Sequence, residues 1–192
     1  MTKSRVEAFT DGVIAILITI LVLDLHAPED VTWIALRQLG EPFFAYVVSF
    51  IAIAIYWNNH HHLYQTVKKI DGTVLWVNTA LLFWLSILPF ATAWVGEHLT
   101  AMLPELIYAF VSFMCGLTYN LLDRCLVRVN GANSRVAIVS KHDRKRWLSL
   151  AIYAVGCLLT FVWPPAGLGA SLMVSVLWFI PNQRVEQEFR VK

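Results

Sequence analysis

The chain has 192 residues, of which 58% are hydrophobic and 15% charged. Roughly 25% of an ordinary soluble domain is charged, so that class is excluded. The net charge of +2 says little by itself; the positions of the charges say more.

The apolar residues gather in blocks of about twenty, the length that crosses the hydrocarbon core of a bilayer. The chain therefore reads as a polytopic helical membrane protein, a single domain over residues 1–192. Six apolar segments follow in chain order: Val6 to Leu25, Pro42 to Leu63, Thr73 to Val95, Pro104 to Val127, Trp147 to Trp163, and Ala166 to Ile180. The second starts after the helix-breaking Gly40-Glu41-Pro42. The fifth and sixth are joined by Pro164-Pro165, which cannot continue a helix, and the sixth is closed by Pro181. Barrel strands would be about ten residues long and would alternate. These runs are longer and do not alternate, and a helix pairs every backbone group within its own segment. Met1 to Arg5 is too short and polar for the front of a cleaved signal peptide, so the first helix is expected to be retained.

With the N-terminus inside, every Lys and Arg except Arg37 falls on an inner segment, while Glu29, Asp30, Glu41, Glu97 and Glu105 crowd the outer side. The positive-inside rule then predicts six spans with both termini cytoplasmic. The basic stretch from Val129 to Asp143 reads as a solvated connector that fixes this topology. Cys115, Cys125 and Cys157 lie in or beside apolar segments with no metal-type spacing, and read as small packing residues.

The first segment carries the most chemistry. Wound at about 100° per residue, Ile16, Ile20 and Leu23 share one stripe, with Thr19 at its edge, Gly12 one turn before and Phe9 nearby. Packing alone would account for the aliphatic stripe, and Thr19 can bond a carbonyl one turn back. Asp11 is turned away from the stripe. An ionisable group near the hydrocarbon normally has a partner or faces water. His60, His61 and His62 are the expected partners, because the second segment ends at the membrane face where Arg5 and Asp11 lie.

Those histidines sit in the run Trp57-Asn58-Asn59-His60-His61-His62-Leu63-Tyr64. Successive helical residues point about 100° apart, so the three cannot converge on one ion, and no metal site is expected. Trp57 and His61 share one side, Asn58 and His62 the next. One histidine and one asparagine are expected to bond inward to the mouth of the first helix, with Trp57 and Tyr64 as interface anchors. Asn78 in the third segment and Asn120 in the fourth are expected to bridge helices.

Arg5-x-x-x-Phe9-Thr10-Asp11, followed by an apolar helix with Ile16, Thr19, Ile20 and Leu23, resembles the start of the first helix in the transmembrane protein 175 family of potassium channels. That family has Arg-x-x-x-Phe-Ser-Asp there; Thr10 keeps the hydroxyl. The six-segment layout, the Trp57/His60–His62 region and Leu88-Pro89-Phe90 extend the likeness over most of the chain. A single copy of the motif is similar to the prokaryotic form of the family.

The resemblance implies a homotetramer in the plasma membrane whose four first helices line a pore for potassium and other monovalent cations, with no cofactor, no nucleic-acid partner and no enzymatic activity. It implies a constriction at Ile16, a pore hydroxyl at Thr19, and further apolar pore positions at Ile20 and Leu23. Arg5, Phe9, Thr10, Asp11, Trp57, Asn58, His61, His62 and Asn78 are the implied structural motif and polar network. The Thr-Val-Gly-Tyr-Gly filter of ordinary potassium channels is absent, so weak selectivity is expected. A proton- or cation-coupled secondary transporter is the alternative. It would favour paired broken helices in repeats, and the sequence shows neither.

Overall fold

A computed structural model describes residues 2–141 and 144–179. Among the described residues the regular structure is all helical: α1 (Lys3–Leu23), α2 (Trp33–Gln38), α3 (Gly40–Gln65), α4 (Gly72–Glu97), α5 (Met102–Asn130), α6 (Arg135–Lys141), α7 (Arg144–Leu159) and α8 (Ala166–Phe179). Four of them, α1, α3, α4 and α5, are long and apolar enough to cross a membrane. They cover the first four predicted segments. The fifth and sixth become shorter helices, α7 with 16 residues and α8 with 14, joined through turns at Thr160–Val162 and Pro164-Pro165. Pro181 and the cations Arg184, Arg190 and Lys192 lie outside the described residues.

The structure departs from the sequence reading in three places. The Val129–Asp143 stretch is not simply a connector: it contains α6, nucleated by Ser134, whose hydroxyl accepts the Ala137 N–H at 3.3 Å. The loop after α1 holds a short helix, α2, capped by Thr32, whose hydroxyl accepts the Ala35 N–H at 3.1 Å. Pro42 does not delay α3, which starts at Gly40. A proline in a first helical turn sacrifices no intrahelical bond, because those N–H groups have no partner anyway. Inside α4, Pro89 is carried without ending the helix.

α4 and α5 form the centre of the bundle. α3 packs on α4, α1 lies across α3 and α4, and α7 and α8 close the other side against α5 and α3. The main apolar core runs through Leu17, Ile53, Leu81, Leu85, Tyr108, Leu122 and their neighbours. A smaller one joins Tyr153, Ala170 and Val174. Without a hydrophobic force between helices in lipid, close approach at small residues matters most. Gly96 lies against the Pro42 backbone, and Gly156 faces Ala170 and the carbonyl of Ala166.

Several polar groups inside this bundle are matched to one another, while Tyr64 Oη, Glu105 Oε1 and Ser175 Oγ are buried without a hydrogen-bond partner among the described residues. Thr92 donates to Ser49 at 2.7 Å, Ser49 and the Tyr108 hydroxyl lie 3.0 Å apart, and Tyr108 donates to Ser171 at 3.3 Å, joining α4, α3, α5 and α8. Asp123 and Arg146 form a buried ion pair between α5 and α7. Ser140 of α6 donates to Asp123 at 2.5 Å, and Arg146 donates to the Ser140 carbonyl at 2.6 Å. At the other end of α5, Glu105 is fully buried and accepts the Leu168 N–H at 2.7 Å, capping the first turn of α8 from a different helix. Gly167 makes this possible, since a Cβ there would collide with the Glu105 backbone and side chain.

Candidate pore face and its polar anchor

α1 has two faces with different fates. Val6, Thr10, Ile14, Leu17 and Leu21 recur every three or four residues and are buried against α3 and α4. The opposite face is uncovered by the rest of the chain. On it Phe9, Gly12, Ile16, Thr19, Ile20 and Leu23 are all exposed, Ile16 at 58% and Leu23 at 74%. The predicted stripe is therefore one continuous uncovered surface. Gly12 leaves open space where a side chain would stand. The Thr19 hydroxyl donates to the Ile16 carbonyl at 2.7 Å. That bond uses its proton and leaves the oxygen lone pairs on the uncovered face.

Two neighbours in the motif, Thr10 and Asp11, hold α1 in this orientation by pointing different ways. Thr10 is buried and accepts from the Asn78 amide nitrogen at 3.0 Å. The Asn78 carbonyl oxygen in turn lies 2.9 Å from His60 Nε2, so His60 donates through Nε2. This chain of three side chains ties α1, α4 and α3 together in the core. His60 also stacks on Tyr64, ring centroids 4.2 Å apart. Asp11 lies at the surface and accepts from the Trp57 indole N–H at 2.9 Å, a second tie between α1 and α3.

The partner of Asp11 is thus an indole rather than a histidine, and Trp57 is more than an interface anchor. The histidine that bonds inward is His60, and it reaches α1 through Asn78 of α4; no asparagine of the run does so, since Asn59 donates to the Ile55 carbonyl of its own helix. His61 is exposed, stacks on Trp57 at 6.0 Å and bonds Gln65 at 2.8 Å. His62 and Asn58 are exposed. Arg5 and Phe9 are exposed on α1 and are not part of the Thr10–Asn78–His60 chain. Spacing could have identified His60: it follows the buried Ile53 by seven residues and precedes the buried Tyr64 by four, whereas Trp57 and His61 share another face. Among the described residues no group of three or more His, Cys, Asp or Glu side chains is placed to hold a metal ion.

A family model described as the endosomal/lysosomal potassium channel TMEM175 matches residues 5–89, from the start of the α1 motif to Pro89. A potassium channel of a Chryseobacterium species is 42% identical over 190 residues, covering 99% of both chains. A potassium channel of Chamaesiphon minutus is 30% identical over 188 residues, covering 90% of this chain and 91% of its own. The crystal structure of a lysosomal potassium-selective channel TMEM175 homolog from Chamaesiphon minutus superposes with a TM-score of 0.81 at 26% identity, over 95% of this chain and 97% of that one.

Proposed function

The chain belongs to the TMEM175 family, and from that premise we propose that it is a potassium-permeable, weakly selective cation channel of the cell membrane. The assembly is a homotetramer, with six spans per subunit, both termini cytoplasmic and the four α1 helices around the axis. One observation carries the residue assignment: α1 is anchored by Thr10 and Asp11 on one side and leaves Phe9, Gly12, Ile16, Thr19, Ile20 and Leu23 uncovered on the other.

In a fourfold ring of such helices the side chains at Ile16 form an apolar constriction. It excludes a hydrated ion by dewetting when narrow and admits it when wider. Ile20 and Leu23 extend the apolar lining. Thr19 offers hydroxyl oxygens, already oriented by their bond to the Ile16 carbonyl, that replace some water ligands of a passing cation. No carbonyl filter sequence is present, so discrimination between potassium and sodium is modest. Asp24, Glu29 and Asp30 follow the stripe and raise the local cation concentration at the outer mouth. Arg5 and Asp11 stand outside the conduction path and fix the inner end of α1.

The test is current through the purified protein in planar bilayers under a potassium/sodium gradient, for wild type and Ile16→Asn. The expected result is unitary current reversing toward the potassium potential, larger or less selective in Ile16→Asn. Absence of current in any cation, with insertion verified, would return the transporter reading and remove the role assigned to Ile16.

A further inference from the structure

The segment after α3 and the turn between α5 and α6 meet at one end of the molecule. Asn130, the last residue of α5, joins them. Its Oδ1 accepts the backbone N–H groups of Lys68 and Lys69 at 3.0 and 2.9 Å, and its Nδ2 donates to the carbonyls of Lys69 and Leu126, both at 2.9 Å. Gly131 follows with φ of +92°, a conformation that side-chain-bearing residues rarely adopt, and turns the chain toward α6. Two segments some sixty residues apart in sequence are thereby fixed side by side.

Between them lies an open concavity of about 510 Å³, lined by Lys68, Lys69, Asn133 and Arg135 among others, with no carboxylate in its lining. The neighbouring arginines are engaged elsewhere. Arg128 pairs with Asp71 at 3.5 Å, Arg124 lies 4.8 Å over the Trp147 ring, and Arg146 is buried against Asp123. Lys68, Lys69 and Arg135 are exposed and have no acidic partner among the described residues. A connector that merely fixes topology needs its cations on the inner side, in any arrangement. It does not need three unpaired ones gathered from two segments around one hollow.

We propose that this concavity binds a phosphate group. A guanidinium gives two parallel N–H donors to a phosphate, the two ammonium groups supply charge, and the Asn133 amide can donate from the rim. The phosphate can belong to the headgroup of an anionic lipid in the inner leaflet or to a soluble phosphate. Only the lipid source rests on the inward orientation proposed for this end, and neither source rests on the pore assignment.

The experiment uses the full-length channel in phosphatidylcholine nanodiscs with and without phosphatidylglycerol. Lipid retained after transfer to detergent is counted by native mass spectrometry, and thermal unfolding in detergent is followed with and without inorganic phosphate. Wild type is compared with the triple variant Lys68→Gln/Lys69→Gln/Arg135→Gln, with Asn133→Asp, and with Arg124→Gln/Arg128→Gln. Phosphatidylglycerol retention is expected to fall more than about tenfold in the triple variant. It falls also in Asn133→Asp, which keeps every cation but adds a carboxylate to the hollow, and holds in Arg124→Gln/Arg128→Gln. A wild-type stabilisation by inorganic phosphate that the triple variant lacks, without selective lipid retention, assigns the soluble source. Equal lipid retention in all variants with no phosphate effect overturns the proposal. So does equal loss in the triple and the Arg124/Arg128 variants, which would mean attraction to a basic surface at large. If the triple variant does not fold, Asn133→Asp decides alone. Potassium current recorded from Asn133→Asp keeps this test separate from that of the channel.

Discussion

α1 and α5 are both long apolar helices, yet they dispose of their polar residues in opposite ways. α5 buries Glu105, Tyr108, Ser112, Thr118, Asn120 and Asp123, and the partners of Glu105, Tyr108 and Asp123 lie within the same chain. α1 buries only Thr10 among its polar residues and turns Asp11, Gly12 and Thr19 outward with an uncovered apolar stripe. Asp11 and Thr19 each make one hydrogen bond within the chain but turn further lone pairs outward, and in hydrocarbon a polar atom left without a partner costs several kcal/mol, so the two arrangements are not equivalent. The contacts of Tyr108 and Asp123 and the Oε2 bond of Glu105 are made within the subunit, and Glu105 Oε1 alone among these groups lacks a hydrogen-bond partner. The uncovered face of α1, with a hydroxyl at mid-helix, calls for water, ions or further copies. Substitutions in α5 and its partners should therefore change folding, and substitutions on the α1 stripe should change conduction.

The largest effect is expected at Asp123. Asp123→Ala removes the carboxylate that faces the buried Arg146 guanidinium and accepts the Ser140 hydroxyl, and breaking a buried pair destabilises by up to about 3–5 kcal/mol. Loss of folded protein on size exclusion and in thermal unfolding is the expected outcome. An Asp123→Ala protein with wild-type melting would contradict the claim that this pair holds α5 to α7.

Next is Gly167→Ala. The added Cβ would stand 2.6 Å from Glu105 Oε2 and closer still to the Glu105 carbonyl oxygen, with backbone rather than a flexible chain end to displace. Overpacking of this kind costs about 1–3 kcal/mol. Thermal unfolding reads it directly. A second variant, Gly169→Ala, has open space at the same helix end and should be near neutral.

Thr10→Val probes the boundary between the two regimes. It keeps the shape of the side chain but leaves the Asn78 amide without its acceptor in the core. The expected loss is about 1 kcal/mol, in line with interhelical hydrogen bonds in membranes. If Thr10→Val instead changed conductance while melting as wild type, the anchor and the pore face would have to be reassigned.

Much of this division is legible in the sequence, and what escaped did so for physical reasons. The α1 stripe follows from the helical period alone, because Ile16, Ile20 and Leu23 recur at three and four. The Pro164-Pro165 junction is legible because proline removes a donor. The partner of Asp11 is not, since periodicity gives the direction in which Trp57 points but not the rotation of α3 against α1. The ion pair of Asp123 with Arg146 escaped for a similar reason. Arg146 lies in a run of cations that reads as an inner loop, and its burial is imposed by the packing of α7 on α5. α6 and α2 each span seven residues or fewer, too short for a hydrophobic period to stand out.

The smallest effect on stability, and the sharpest on function, is expected from Thr19→Val. The substitution is nearly isosteric, and it removes only a bond to the Ile16 carbonyl one turn back, whose backbone partner within the helix remains. On the uncovered face no side chain of the same subunit is left unpaired by it, so melting should stay within about 0.5 kcal/mol of wild type. If that face lines the axis, four hydroxyl oxygens vanish at one level of the pore, and the cation there must keep its waters in an apolar ring. Unitary potassium current should then fall, and the potassium-to-sodium permeability ratio should shift, with the tetramer intact. If that face meets lipid, neither quantity changes. Recording both in one bilayer, beside Ile16→Asn, separates a constriction that sets how much current flows from a hydroxyl ring that sets which ion carries it.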